Sequence, residues 1–138
     1  MPEIEFQFSG LIPFRHKPLL VGPMAKYYYG IGSPTKIFDF VIAPDDFALL
    51  KSHYPEDFCW VGLDQAVQID HIRLRRTIEL FDYDSLCENT IEKSSFAVIS
   101  LDRLYFITMV DTSNASRSSD LDQLSRRMAD VPHSQPAT

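Results

Sequence analysis

The chain has 138 residues, 45% hydrophobic and 23% charged, with a net charge of −6 and a pI near 5.0. These values suit one globular domain and exclude global disorder, and the acid excess argues against nucleic acid or an anionic membrane as partner. No stretch approaches the ~20 apolar residues of a membrane helix, MPEIEFQF has no basic n-region, and Cys59 and Cys87 are too few for a disulfide scaffold. Together these features fit thiols in a reducing cytoplasm.

Along the chain, residues 3–8 (EIEFQF) alternate apolar and polar and predict a half-buried strand. The segment 11–24 carries Pro13, Pro18, Gly22 and Pro23 and predicts a long ordered loop. Residues 26–31 (KYYYGI) and 36–42 (KIFDFVI), joined by Gly32-Ser33-Pro34, predict an antiparallel hairpin. Pro44, the acids Asp45 and Asp46, the apolar spacing Phe47, Leu50, Tyr54 and the stop at Pro55 predict a helix over 44–53.

Residues 58–63 (FCWVGL) predict a buried strand. The stretch 66–81 leans to strands, with an apolar phase that changes between Ile69 and Ile72 and so suggests a bulge. Residues 84–92 predict a short helix, and 95–110, rich in apolar residues, a central hairpin turning at Leu101-Asp102-Arg103. The serine-rich 111–118 reads as a linker. Leu121, Leu124, Met128 and Val131 then mark an amphipathic helix near 119–131, and 132–138 form a polar tail after a domain of residues 1–110. The expected fold is α+β: an antiparallel sheet of five to six strands, one internal helix and the C-terminal helix. Its expected core is Phe6, Phe8, Phe38, Phe40, Leu50, Trp60, Phe96, Val98, Ile99, Tyr105, Ile107 and Leu124.

The chemistry-bearing patterns are sparse. Gly30-Ile31-Gly32 lacks the third glycine of a dinucleotide loop, and no Gly-x-Ser-x-Gly elbow occurs. The four histidines are scattered, and the cysteines lack metal-ligand spacing. Asp82-Tyr83-Asp84 with Glu88 lacks the glycine of a calcium loop and reads as a surface acidic turn. No catalytic residue, metal or cofactor is expected.

Charge is the informative pattern. Residues 43–70 hold six acids against Lys51, residues 71–76 hold Arg73, Arg75 and Arg76, and residues 77–92 hold Glu79, Asp82, Asp84, Glu88 and Glu92 with no base. An acidic block of this kind steers a basic protein. The expected function is therefore a non-catalytic binding module, an inhibitor, immunity-type neutraliser or small subunit, that uses those five carboxylates. Self-association through the C-terminal helix is a further expectation. The alternative is an enzyme or binding domain holding an anionic small molecule on Arg73, Arg75, Arg76 and Tyr28.

Overall fold

A computed structural model of the protein describes residues 4, 8 and 10–130. The expected strand 3–8 lies outside the described residues apart from Ile4, which is buried, and Phe8, whose ring meets Phe14 and Phe40 edge-on. The fold is α+β, but the sheet is mixed rather than antiparallel. Seven strands run in the order β3-β4-β5-β2-β1-β9-β8, with β6 and β7 as a separate ribbon. The strands are β1 (Leu19–Val21), β2 (Phe38–Val41), β3 (Phe58–Val61), β4 (Asp64–Ile69), β5 (Ile72–Arg75), β6 (Thr77–Ile78), β7 (Phe81–Asp82), β8 (Ile91–Glu92) and β9 (Ala97–Val98). β1 pairs parallel with β9, and β2 parallel with β5. Alternation marks which side chains share a face but carries no strand direction, so these two crossovers were hidden.

The expected loop 11–24 contains β1 and the start of α1 (Gly22–Tyr28). Pro23 sits in the first turn, where its missing N–H costs nothing. The expected tyrosine strand is the end of this helix. Ile31 N–H donates to the Lys26 carbonyl at 2.9 Å and Gly30 N–H to the Tyr27 carbonyl at 2.8 Å, which closes a Schellman turn. Gly30, at φ +82°, supplies the left-handed residue that this turn requires. The hairpin therefore forms between β1 and β2, with α1 inside the connection.

The helix α2 (Pro44–His53) falls where the proline and the acids predict it. β3 forms as expected but is an edge strand, and Trp60 is 61% exposed rather than in the core. The phase change after Ile69 is a hairpin turn at Asp70-His71, with Ile69 opposite Ile72 and Asp70 at φ +52°, and no bulge is needed. Within 84–92 the helix α3 (Tyr83–Leu86) is shorter than expected and is followed by β8.

The largest correction is the expected hairpin over 95–110. Only Ala97–Val98 is strand, and Leu101–Val110 is the helix α4. Ser100 caps it, its hydroxyl accepting from Arg103 N–H at 3.3 Å, and Asp102 lies in the first turn. Leu104, Ile107 and Thr108 fall on one helical face and are buried. A long apolar run carries both periods, and the cap decides between them.

The C-terminal helix α5 (Arg117–Asp130) starts two residues before the expected 119. It lies against α4, with Leu124 fully buried. Lys26 Nζ donates to Asp120 at 2.8 Å and Arg127 Nε to the Tyr29 carbonyl at 2.9 Å, tying it to α1. Of the expected core, Phe40, Leu50, Phe96, Val98, Ile99, Ile107 and Leu124 are buried. Phe8, Phe38 and Tyr105 are half-buried against them, and Phe6 lies outside the described residues. No helix among the described residues is long and apolar enough to cross a membrane.

Leu124→Ala removes a fully buried side chain and should destabilise the protein by about 2–5 kcal/mol. A denaturant midpoint equal to that of the wild type would show that α5 does not pack as described.

Candidate functional site

Phe38 and Phe40 alternate with Asp39 and Val41, so β2 presents rings to one face of the sheet and a carboxylate to the other. Phe40 meets Phe8 and Phe96 edge-on and packs near Phe38. On the opposite face Asp39 lies beside Arg73 and near Arg75, because β2 and β5 run parallel with Asp39 opposite Arg73 and Val41 opposite Arg75. Asp39 Oδ1 accepts from Arg75 Nε at 3.3 Å and pairs with Arg73 Nη1 at 3.5 Å. Arg75 Nη1 reaches Asp64 Oδ2, at the start of β4, at 3.4 Å. Two carboxylates and two guanidinium groups thus balance on the sheet, which is what lets Asp39, Asp64 and Arg75 be buried.

Asp64 does a second job. It accepts from Thr77 Oγ1 at 2.7 Å, Glu79 N–H at 2.9 Å and Leu80 N–H at 3.0 Å. Glu79 and Leu80 form the two-residue turn between β6 and β7 at φ +48° and +67°. Such turns favour Asn and Gly, and a left-handed residue with a Cβ costs about 1–2 kcal/mol. The Asp64 carboxylate holds this turn in place, leaves Leu80 exposed and brings Glu79 beside Asp111, the cap of α4. Burial, then the charge and hydrogen bond of Asp111 and the charge of Asp64, push the Glu79 carboxyl above its ordinary 4.5, against the pull of Arg75.

A cleft of about 540 Å³ opens over Asp39 and Arg75. Its walls come from the start of α1, the loop 31–35, α4 and the turn after it. Lys26, Asp120 and Asn114 form a clamp at one side, with Asn114 Nδ2 donating to Asp120 Oδ2 at 3.0 Å. Burial raises the Asp120 carboxyl, but hydrogen bonds from Lys26 and Asn114 and the Lys26 charge outweigh it and hold the group below 3.8. A second depression of about 360 Å³ lies between α3 and α4. Phe81, Leu86, Phe106 and Ile107 line it with Asp84, Glu88 and Arg103.

The five sequence-predicted carboxylates do not form one face. Asp84 is exposed at the second depression, and Glu88 there pairs with Arg103 at 2.8 Å. Asp82 caps α3, accepting from Ser85 N–H at 3.0 Å. Glu92 pairs with Lys17 at 3.2 Å on β8, and Glu79 belongs with Asp111. The arginines also separate. Arg73 and Arg75 lie on Asp39, Arg76 is exposed, and Tyr28 is buried edge-on to Tyr29 with Lys93 Nζ 5.0 Å from its ring centroid. Cys59 and Cys87 are half-buried free thiols. Burial raises the Cys87 thiol, a Tyr83 hydrogen bond opposes this, and Asp84, Glu92 and Asp82 add to the rise. Among the described residues no three His, Cys, Asp or Glu side chains are grouped to hold a metal ion.

The residues that sequence reasoning missed are Asp39 and Asp64. Their signal was present: an aspartate in phase opposite to two phenylalanines in FDFV, and arginines alternating in IRLR. Each pattern asks for a charged partner on the same sheet face.

The raised Glu79 carboxyl gives a pH test. Its ionisation opposes folding, so the destabilisation is absent below the ordinary 4.5 and grows as pH rises through the folded-state value. Glu79→Gln should therefore unfold at a higher denaturant concentration than wild type at neutral pH, with the difference gone in acid. Equal midpoints at neutral pH would contradict the placement beside Asp111. Comparison with protein-family models, with curated proteins and with solved structures gives no match.

Proposed function

We propose that the protein is a non-catalytic protein-binding module, of the inhibitor, immunity-type neutraliser or small-subunit kind. It seats a basic, amphipathic segment of another protein in the depression between α3 and α4. The observation that carries this reading is the composition of that depression: exposed Phe106 beside Phe81 and Leu86, with Asp84 and Glu88 at the rim. Apolar area at the centre supplies affinity, and a charged rim supplies orientation and rate. Asp84 makes no ion pair among the described residues, so its charge is available to a cation. Exposed Leu80 and Val110 extend the apolar surface around α4 and the neighbouring turn. The net charge of −6 favours approach of a basic partner.

The test is a tagged pull-down from the source cell at two salt concentrations with mass spectrometry. It is run in parallel on the wild type, on Asp84→Lys/Glu88→Lys and on Phe106→Ala. The expected result is one basic protein, retained less at high salt and lost from both variants, with the charge reversal slowing association most. A partner retained equally by both variants would remove the site assignment. A chain that retains nothing specifically would remove the binding-module reading.

A further inference from the structure

The cleft over Asp39 and Arg75 carries an inference independent of the α3–α4 depression. Arg75 is 7% exposed and Asp39 5%. Each uses only part of its hydrogen-bonding capacity. Arg75 bonds through Nε and Nη1, and its Nη2 has no partner among the described residues. Asp39 bonds through Oδ1, and its Oδ2 is likewise unpartnered. Neither atom is sealed away, since no buried side-chain nitrogen or oxygen among the described residues lacks a partner. Both residues line the cleft, Arg75 also bordering the depression over Asp64 and the β6–β7 turn, so one ion pair keeps a spare donor and a spare acceptor at the cleft wall.

Gly22 keeps the acceptor open. It starts α1 at φ +70°, and a Cβ there would sit 3.1 Å from Asp39 Oδ2. The cleft volume of about 540 Å³ falls in the range of small-molecule sites, roughly 300–1,000 Å³. Ile31, Ile78, Leu104 and Ile107 give it apolar walls. Its charged lining is Asp39, Asp111 and Asp120 against Lys26 and Arg75. A carboxylate or phosphate entering would add to an existing excess of negative charge, so the lining disfavours an anion.

We propose that this cleft binds a small uncharged molecule through an amide edge, its carbonyl accepting from Arg75 Nη2 and its adjacent N–H donating to Asp39 Oδ2. The pairing matches donor to acceptor and acceptor to donor without moving a proton or exposing a charge. Both a primary amide and a lactam heterocycle present this edge, and a ring attached to it would lie on the isoleucine walls.

The test uses matched probes on the wild-type chain, read by backbone and arginine side-chain NMR. Nicotinamide is compared with nicotinate, and uridine with 3-methyluridine, so that each pair differs in the amide edge. Saturable shifts at Gly22, Gly32, Ile78 and Arg75 are expected for an amide probe. Its altered counterpart should bind at least about tenfold more weakly, the equivalent of ~1.4 kcal/mol. Binding by nicotinamide alone assigns the primary amide, and binding by uridine alone assigns the lactam. The proposal is overturned if neither probe gives a saturable shift, or if nicotinate and 3-methyluridine bind as well as their partners. Gly22→Ala, which places a methyl against Asp39 Oδ2, should abolish binding. Undiminished binding to a folded Gly22→Ala protein also overturns it.

Discussion

Burying charge on the polar face of the sheet is possible only because every charge there has a partner. Asp39, Arg73, Arg75 and Asp64 come from three strands, β2, β5 and β4, and meet only when β2 and β5 run parallel in the observed register. A one-residue slip would turn these side chains towards the Phe40 side and bring Leu74 to the polar face. The network therefore adds to the apolar pattern in opposing a one-residue slip. Removing one partner would leave an uncompensated buried charge, a loss of about 3–5 kcal/mol.

From that network the surrounding geometry follows. Asp64 reaches beyond the sheet to hold Glu79 and Leu80 in left-handed conformations, and this turn places Glu79 against the end of α4. Asp39 sits so close to the start of α1 that a Cβ at position 22 would lie 3.1 Å from its Oδ2, and the φ of +70° there favours glycine. α1 is then fixed to α5 by the Lys26–Asp120 pair, and α5 to α4 by burial of Leu124. Among the depressions that result, the cleft over Asp39 and the one between α3 and α4 differ in chemistry and share Ile107 of α4. One has a polar floor made by the sheet, and the other an apolar floor with acids at its rim.

The local signals in the sequence were strongest where a single residue constrains the backbone. Pro44 with Asp45 and Asp46 fixed the start of α2, and the leucine spacing beyond residue 120 located α5 to within two residues. The alternation in FDFV and IRLR marked β2 and β5, but the turn between β4 and β5 at Asp70-His71 reads as a bulge, because nothing local announces the positive φ of Asp70. Where the signal was apolar content alone, it misled. Tyr27, Tyr28 and Leu101 to Val110 have strand-forming composition but lie in helices, because Gly30 and Ser100 provide helix ends that composition does not weigh.

By itself the sequence determined the α+β class, the acid excess, the absence of a long apolar span and the start and stop of α2 at Pro44 and before Pro55. Those properties depend on one residue or on neighbours a few positions apart. Tertiary structure alone decided the strand directions, the exposure of Trp60 and the pairing of Asp39 and Asp64 with Arg75. It also decided the separation of Glu79 and Glu92 from Asp84 and Glu88. These depend on which strands meet, and residues 39, 64 and 75 become neighbours only after the β2–β5 crossover and the β4–β5 hairpin have closed. Loop closure and burial choose that arrangement collectively, and no local pattern encodes it.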